Sequence, residues 1–189
     1  MQGTRGAPLS GADTPTERPK GRRYAGVLAV VAAVVVLADQ VTKVIALDRL
    51  GDGRVVQVVD GILQLRLVRN PGAAFGLGAD FTVVLAVLMI AVILVILTMT
   101  RRLASIPWAI ALGGLLGGAF GNLIDRLARE PGPLRGHVID FLELPNWPVF
   151  NVADAAIVGG AALIVILSLR GIAHDGHDRR ARPEVDDGE

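Results

Sequence analysis

The sequence predicts an all-α polytopic membrane protein, four transmembrane helices with a small β-ribbon on the outer surface. Three observations lead there. Of the 189 residues, 52% are hydrophobic and mean hydropathy is +0.52, too apolar for an ordinary soluble domain. Four windows are long enough to cross a hydrocarbon core of about 30 Å, which takes about 20 apolar residues in a helix. Short Lys and Arg clusters flank those windows in the pattern that four crossings require.

The chain opens with residues 1–23, rich in Gly, Pro and charge and read as a disordered cytoplasmic tail. One membrane domain, 24–170, follows, with its first span at about 25–47. The basic "KGRR" and the "VLA" before Asp39 also suit a cleaved signal peptide. Against that, the apolar stretch is longer than an h-region of about 7–15 residues, and it resumes after Asp39 as "VTKVIAL". Next, "VVQVV" and "ILQLRLV" flank Asp60-Gly61, and Leu63, Leu65 and Leu67 alternate with Gln64 and Arg66. That is the pattern of an amphipathic β-hairpin with a two-residue turn. Span two covers about 81–100 and span three about 106–127. Gly113, Gly117 and Gly121 recur at four-residue spacing in span three, which lets helices approach closely. Span four covers about 149–169, and residues 171–189 form a second tail; His174 and His177, in "HDGHD", have the composition of a metal site but are read as part of a solvated tail.

Orientation follows from the basic residues. Lys20, Arg22 and Arg23 precede span one, Arg101 and Arg102 join spans two and three, and Arg170, Arg179, Arg180 and Arg182 follow span four. Four crossings put all three clusters on one side, so both termini are expected in the cytoplasm. Arg49, Arg54, Arg66, Arg69, Arg129 and Arg135 fall in the outer loops and soften this asymmetry.

With that topology, polar residues in three spans share one depth. Asp39 lies roughly 20 Å along span one, with Lys43 one turn further. Span three ends in "GNLIDR", holding Asn122, Asp125 and Arg126, and span four begins with Asn151 and Asp154. Each intramembrane charge costs about 2.5–3.5 kcal/mol on insertion scales, so their convergence implies a protein-lined polar pocket near the outer leaflet. Structural roles compete. Asp39 and Lys43 can neutralise one another at i, i+4. Asp125 and Arg126 can form an interfacial ion pair, and Asn122 and Asn151 can be interhelical glue. Asp154 has no basic neighbour within a turn. Asp140, in "HVIDFLELPNWP", sits in an apolar frame suited to the interface, where Trp147 would anchor. Asp140 and Asp154 are 14 positions apart across a reversal of the chain, close enough to face one another.

Composition closes other routes. With no cysteine, disulfides, thiol catalysis and cysteine-bound metals are excluded. The net charge of +1 carries no nucleic-acid signature.

The motifs "DQVTK" (39–43), "NPGAAFG" (70–76), "GNLIDR" (121–126), "HVIDF" (137–141) and "FNVAD" (150–154), in this order and without departure at a motif position, resemble the lipoprotein signal peptidases, or signal peptidase II. The likeness spans roughly residues 25–170. It implies a bacterial inner-membrane aspartyl endopeptidase that cuts signal peptides from prolipoproteins just before a diacylglyceryl-modified cysteine. It implies Asp140 and Asp154 as the catalytic pair, and Asn70, Asn122, Arg126 and Asn151 as lining the substrate pocket. Asp39, Lys43, Gly121 and Asp125 become supports of the site. It also implies a β-cradle at the ribbon and a short flexible segment over the site between spans three and four. The expected enzyme is a monomer that works on lipid-modified precursors and membrane lipid, without cofactor, metal or nucleic acid.

Two carboxylates close together in a poorly solvated site cannot both ionise, so the pair shares a proton and holds acid and base at neutral pH. The rival class is a small proton- or ion-coupled transporter, since membrane carboxylates also relay protons. Four spans, no visible inverted repeat and carboxylates gathered near one face count against it. A presenilin-like protease is hinted at by "GLGAD" (76–80), but Ala79 breaks the Gly-x-Gly-Asp pattern.

Overall fold

The structure, a computed structural model, describes residues 20–72 and 81–175, with side chains from residue 23 onward. The "GLGAD" stretch, most of "NPGAAFG", His177 and the outer parts of both tails lie outside the described residues. Helices α1 (Lys20–Leu50), α2 (Thr82–Thr100), α3 (Ile106–Ala128) and α4 (Val152–Leu169) are each long and apolar enough to cross a membrane. Helix α1 begins at Lys20, inside the stretch expected to be a tail, and runs unbroken through Asp39.

Helix α3 is the hub. It touches each of the other three helices, and 67% of its central window is buried against 17–22% for theirs. Its small residues explain why. A Cβ on Gly113 would stand 2.8 Å from Val31 Cβ, and one on Gly117 would stand 2.7 Å from Val35 Cβ, so α1 can lie against this face only because no side chain is there. On the opposite face Gly118 meets the Ala153 carbonyl, while a Cβ on Gly160 of α4 would be 2.7 Å from the Ala111 carbonyl. Close approach through small residues replaces the hydrophobic drive that lipid does not supply. Helix α2 closes the bundle with Ala86, Ile93 and Ile96 buried against Leu112, Leu116 and Leu123.

At the end where α1 and α3 finish and α4 begins stands a three-stranded antiparallel sheet, order β1-β2-β3. The expected hairpin is present as β1 (Val56–Val59) and β2 (Leu63–Asn70). Its connection is longer than two residues: Val59 pairs with Leu63, leaving Asp60, Gly61 and Ile62 between. Gly61 takes φ 69°, and the register shifts between Gln57 and Val59. Leu65 and Leu67 pack with Phe141 and Val152 against Ala46 and Leu50 of α1, which seats the sheet on the bundle.

The third strand, β3 (Val138–Glu143), corrects the reading of "HVIDF" as a plain interfacial segment. Both of its faces are covered, Val138 through Phe141 all being buried, so the alternation that marks a half-exposed strand is missing. The far end of the bundle holds a second correction. His174 is half-buried rather than free in solvent: its ring stands edge-on to Trp108 at 5.8 Å, Trp108 Nε1 donates to the Ile172 carbonyl at 2.8 Å, and Ala104 N–H donates to the His174 carbonyl at 2.9 Å.

Candidate active site

Helix α4 shows why an apolar segment opens with polar residues. Asn151 is its N-cap: Asn151 Oδ1 accepts from Asp154 N–H at 3.0 Å, and Asp154 Oδ2 accepts from Asn151 N–H at 3.2 Å. This reciprocal capping box satisfies two donors that a helix start would otherwise leave bare. It also fixes the Asp154 carboxylate at the mouth of the bundle.

Asp140 reaches the same place from the sheet. Opposite Val68 in the β2–β3 register, it is 2% exposed and accepts from Asn151 Nδ2 at 2.7 Å and from Asn70 Nδ2 at 2.9 Å. Asn70 Oδ1 accepts in turn from Gly72 N–H at 3.0 Å. Asn151 therefore touches both carboxylates, one by its side-chain amide and the other through the cap. Burial pushes the Asp140 carboxyl up from 3.8 to about 6; the Asp154 charge adds to the rise, and the hydrogen bonds from Asn70 and Asn151 oppose it.

Beneath the pair lies a fully buried polar layer. Lys43 Nζ contacts Asp39 at 2.8 Å, Asp125 at 2.7 Å and Asn122 Oδ1 at 2.9 Å. Asn122 Oδ1 also accepts from Asn151 Nδ2 at 3.1 Å, so the other end of the Asn122 amide must donate, and Nδ2 reaches Asp154 Oδ1 at 2.8 Å. Asp39 Oδ1 receives Ala153 N–H at 2.9 Å. Asp125 Oδ2 receives Ile139 N–H at 3.2 Å, which ties the strand carrying Asp140 to α3. Gly121 makes room for this layer, since a Cβ there would stand 2.6 Å from Asp39 Oδ2.

Every candidate residue thus converges on one end of the bundle, but three do so differently from expectation. Asp39 and Lys43 form the expected pair, yet Lys43 serves a second carboxylate. Asp125 does not pair with Arg126; its partners are Lys43 and, at 2.6 Å, Arg129. The Arg126 guanidinium instead collects the carbonyls of Asn70, Pro71 and Gly136 at 3.0–3.2 Å through one terminal nitrogen, and that of Gly72 at 3.0 Å through the other. It clamps the turn that follows β2 and so holds Asn70 in place. Two contributors were not singled out in the sequence. Gln40 Nε2 donates to Asp39 Oδ2 at 3.1 Å and to the Gly121 carbonyl at 3.0 Å. Arg129 was legible only in its i, i+4 spacing from Asp125.

Residues 31–170 match the family described as signal peptidase (SPase) II. The chain belongs to that family. The lipoprotein signal peptidase of Mycobacterium avium (strain 104) is 47% identical over 93% of this chain and 95% of its own length. That of Mycobacterium tuberculosis (strain ATCC 25618 / H37Rv) is 49% identical over 90% of this chain and 84% of its own length. A bacterial membrane enzyme solved by the in meso method at 2.3 Å resolution superposes with a TM-score of 0.67, at 28% identity, over 78% of this chain and 90% of that one. The signal peptidase II assignment makes the chain a membrane-spanning peptidase and gives the carboxylates at the bundle mouth a chemical setting.

Proposed function

We propose that the protein is an aspartyl endopeptidase of the bacterial inner membrane that removes signal peptides from diacylglyceryl-modified lipoprotein precursors, cutting before the lipid-bearing cysteine. Asp140 and Asp154 are the catalytic pair. The observation that carries this reading is Asn151, which hydrogen-bonds both carboxylates and so couples them into one unit. The ionised member takes a proton from water as that water attacks the scissile carbonyl. The protonated member hydrogen-bonds the carbonyl oxygen; as the tetrahedral intermediate collapses and its C–N bond breaks, the dyad passes the proton it took from water to the leaving amine. Neither a metal nor a covalent intermediate is needed for this sequence. The two carboxyls titrate as a pair, so the proton belongs to the dyad.

The amides divide the remaining work. Asn151 spends both Nδ2 hydrogens inside the site, on Asp140 and Asn122, so it positions rather than binds. Arg126 holds the 70–72 turn through its terminal nitrogens but is not fully spent, since its buried Nε has no hydrogen-bond partner among the described residues. Asn70 and Asn122 each use one Nδ2 hydrogen on a carboxylate and keep the other for the substrate backbone. The active site faces the outer leaflet, with both termini cytoplasmic, a reading supported by the Lys and Arg clusters.

The test is cleavage by purified protein in detergent of a diacylglyceryl-modified precursor and of the same precursor without lipid, read by gel shift. The modified form alone should be cut. Binding of the precursor with no cleavage would overturn the peptidase reading and favour transport or reception.

A further inference from the structure

A second polar site lies beside the dyad. A cavity of about 390 Å³ opens where α1, the end of α3 and the sheet meet. Its polar wall is basic: Arg69, Arg129 and His137, with Glu130 as the one acid. Arg69 stands opposite Ile139 in the β2–β3 register. Neither the Arg69 side chain nor the His137 ring has a hydrogen-bond or ion-pair partner among the described residues. Among the described residues Arg129 commits only its Nε, to Asp125, leaving its terminal nitrogens unspent there. The rest of the wall is apolar, from Leu47, Ala128 and Ile139, and Val44, one helical turn before Leu47, and Leu127, next to Ala128, are exposed apolar residues on the same two helices.

We propose that this cavity binds the phosphate of an anionic phospholipid from the leaflet on the dyad's side. Guanidinium groups match phosphate geometry, and basic pockets between membrane helices suit anionic headgroups. The apolar wall and its continuation decide between sources of phosphate: a lipid covers both halves of the surface, whereas a soluble phosphate covers only the polar one. The bound headgroup would also brace the catalytic strand. Arg129 holds Asp125, whose Oδ2 receives the backbone N–H of Ile139, the residue before Asp140. Anionic lipid should therefore raise turnover as well as bind, a consequence that rests on the peptidase reading above.

Binding is read by native mass spectrometry of phosphatidylglycerol retained on the detergent-purified full chain. Cleavage is read in vesicles of phosphatidylcholine with and without phosphatidylglycerol. Wild type should retain the anionic lipid and cut faster in its presence. Arg69→Gln should retain it about fivefold less, the share of one arginine near an anionic surface, and lose the stimulation while matching wild type in phosphatidylcholine alone. His137→Gln, which also leaves the dyad's contacts intact, is the second variant. Equal retention by wild type and both variants would overturn the proposal, as would displacement of the lipid by equimolar glycerol phosphate. Retention is measured whether or not cleavage occurs, so a failure of the peptidase reading is told apart from a failure of this one.

Discussion

Asp140 imposes a stability cost whose size depends on pH. Its folded-state value, about 6 against the ordinary 3.8, arises first from burial and then from the Asp154 charge, with Asn70, Asn151 and Lys43 opposing. The folded protein thus holds this proton more tightly than the unfolded chain. A group whose folded value is raised contributes stability that is fully present below the unfolded value, here 3.8, and is lost as pH rises through about 6. At about 1.4 kcal/mol per pH unit the interval corresponds to about 3 kcal/mol. Asp140→Asn has no charge to bury and lacks this slope. From about pH 4 to about pH 8, wild type should lose about 3 kcal/mol relative to the variant, or about 6–12 °C in Tm for a chain of this size. Thermal melts of the two proteins in one detergent across that range make the comparison. Other titrating groups are common to both, and repeating the pair in an Asp154→Asn background removes the coupled partner. Parallel curves for variant and wild type would refute the reasoning.

Two further outcomes follow from the buried layer and from the helix contacts. Lys43→Met leaves Asp39 and Asp125 buried without their cation, a loss of about 3–5 kcal/mol, so folded yield should collapse; Asp39→Asn and Asp125→Asn should lower yield more than specific activity, and a normally made but inactive variant of either would place that residue in the chemistry. Gly118→Ala drives a methyl group into the Ala153 carbonyl and should cost about 1–3 kcal/mol, whereas Gly159→Ala meets nothing within 4 Å and should melt like wild type.

The four helices were legible because crossing a bilayer demands long apolar windows, and the hairpin because Leu63, Leu65 and Leu67 alternate with polar residues. Strand β3 was not legible, since burial of both faces erased its period. The site was legible as a set of polar residues at one depth, but its wiring was not. Spacing pairs Asp125 with Arg126 as readily as with Arg129, and only the fold shows that α1 inserts Lys43 between Asp39 and Asp125. The Arg126 clamp depends on carbonyls 54 to 56 positions away, a relation no local pattern carries. Asn151 was read as interhelical glue; its second use, capping α4 against Asp154, lay in the three-residue spacing of "NVAD".

The central claim is that Asp140 and Asp154 act as one catalytic unit, and the direct measurement is turnover of a diacylglyceryl precursor by Asp140→Asn, Asp154→Asn and the double variant, with precursor binding measured alongside. Asparagine keeps the shape but can neither serve as the base nor share the dyad proton. Each single variant should bind the precursor and fail to cut it, and the double variant should be scarcely worse than either, because residues acting as a unit are not additive. Substantial turnover by either single variant would contradict the account.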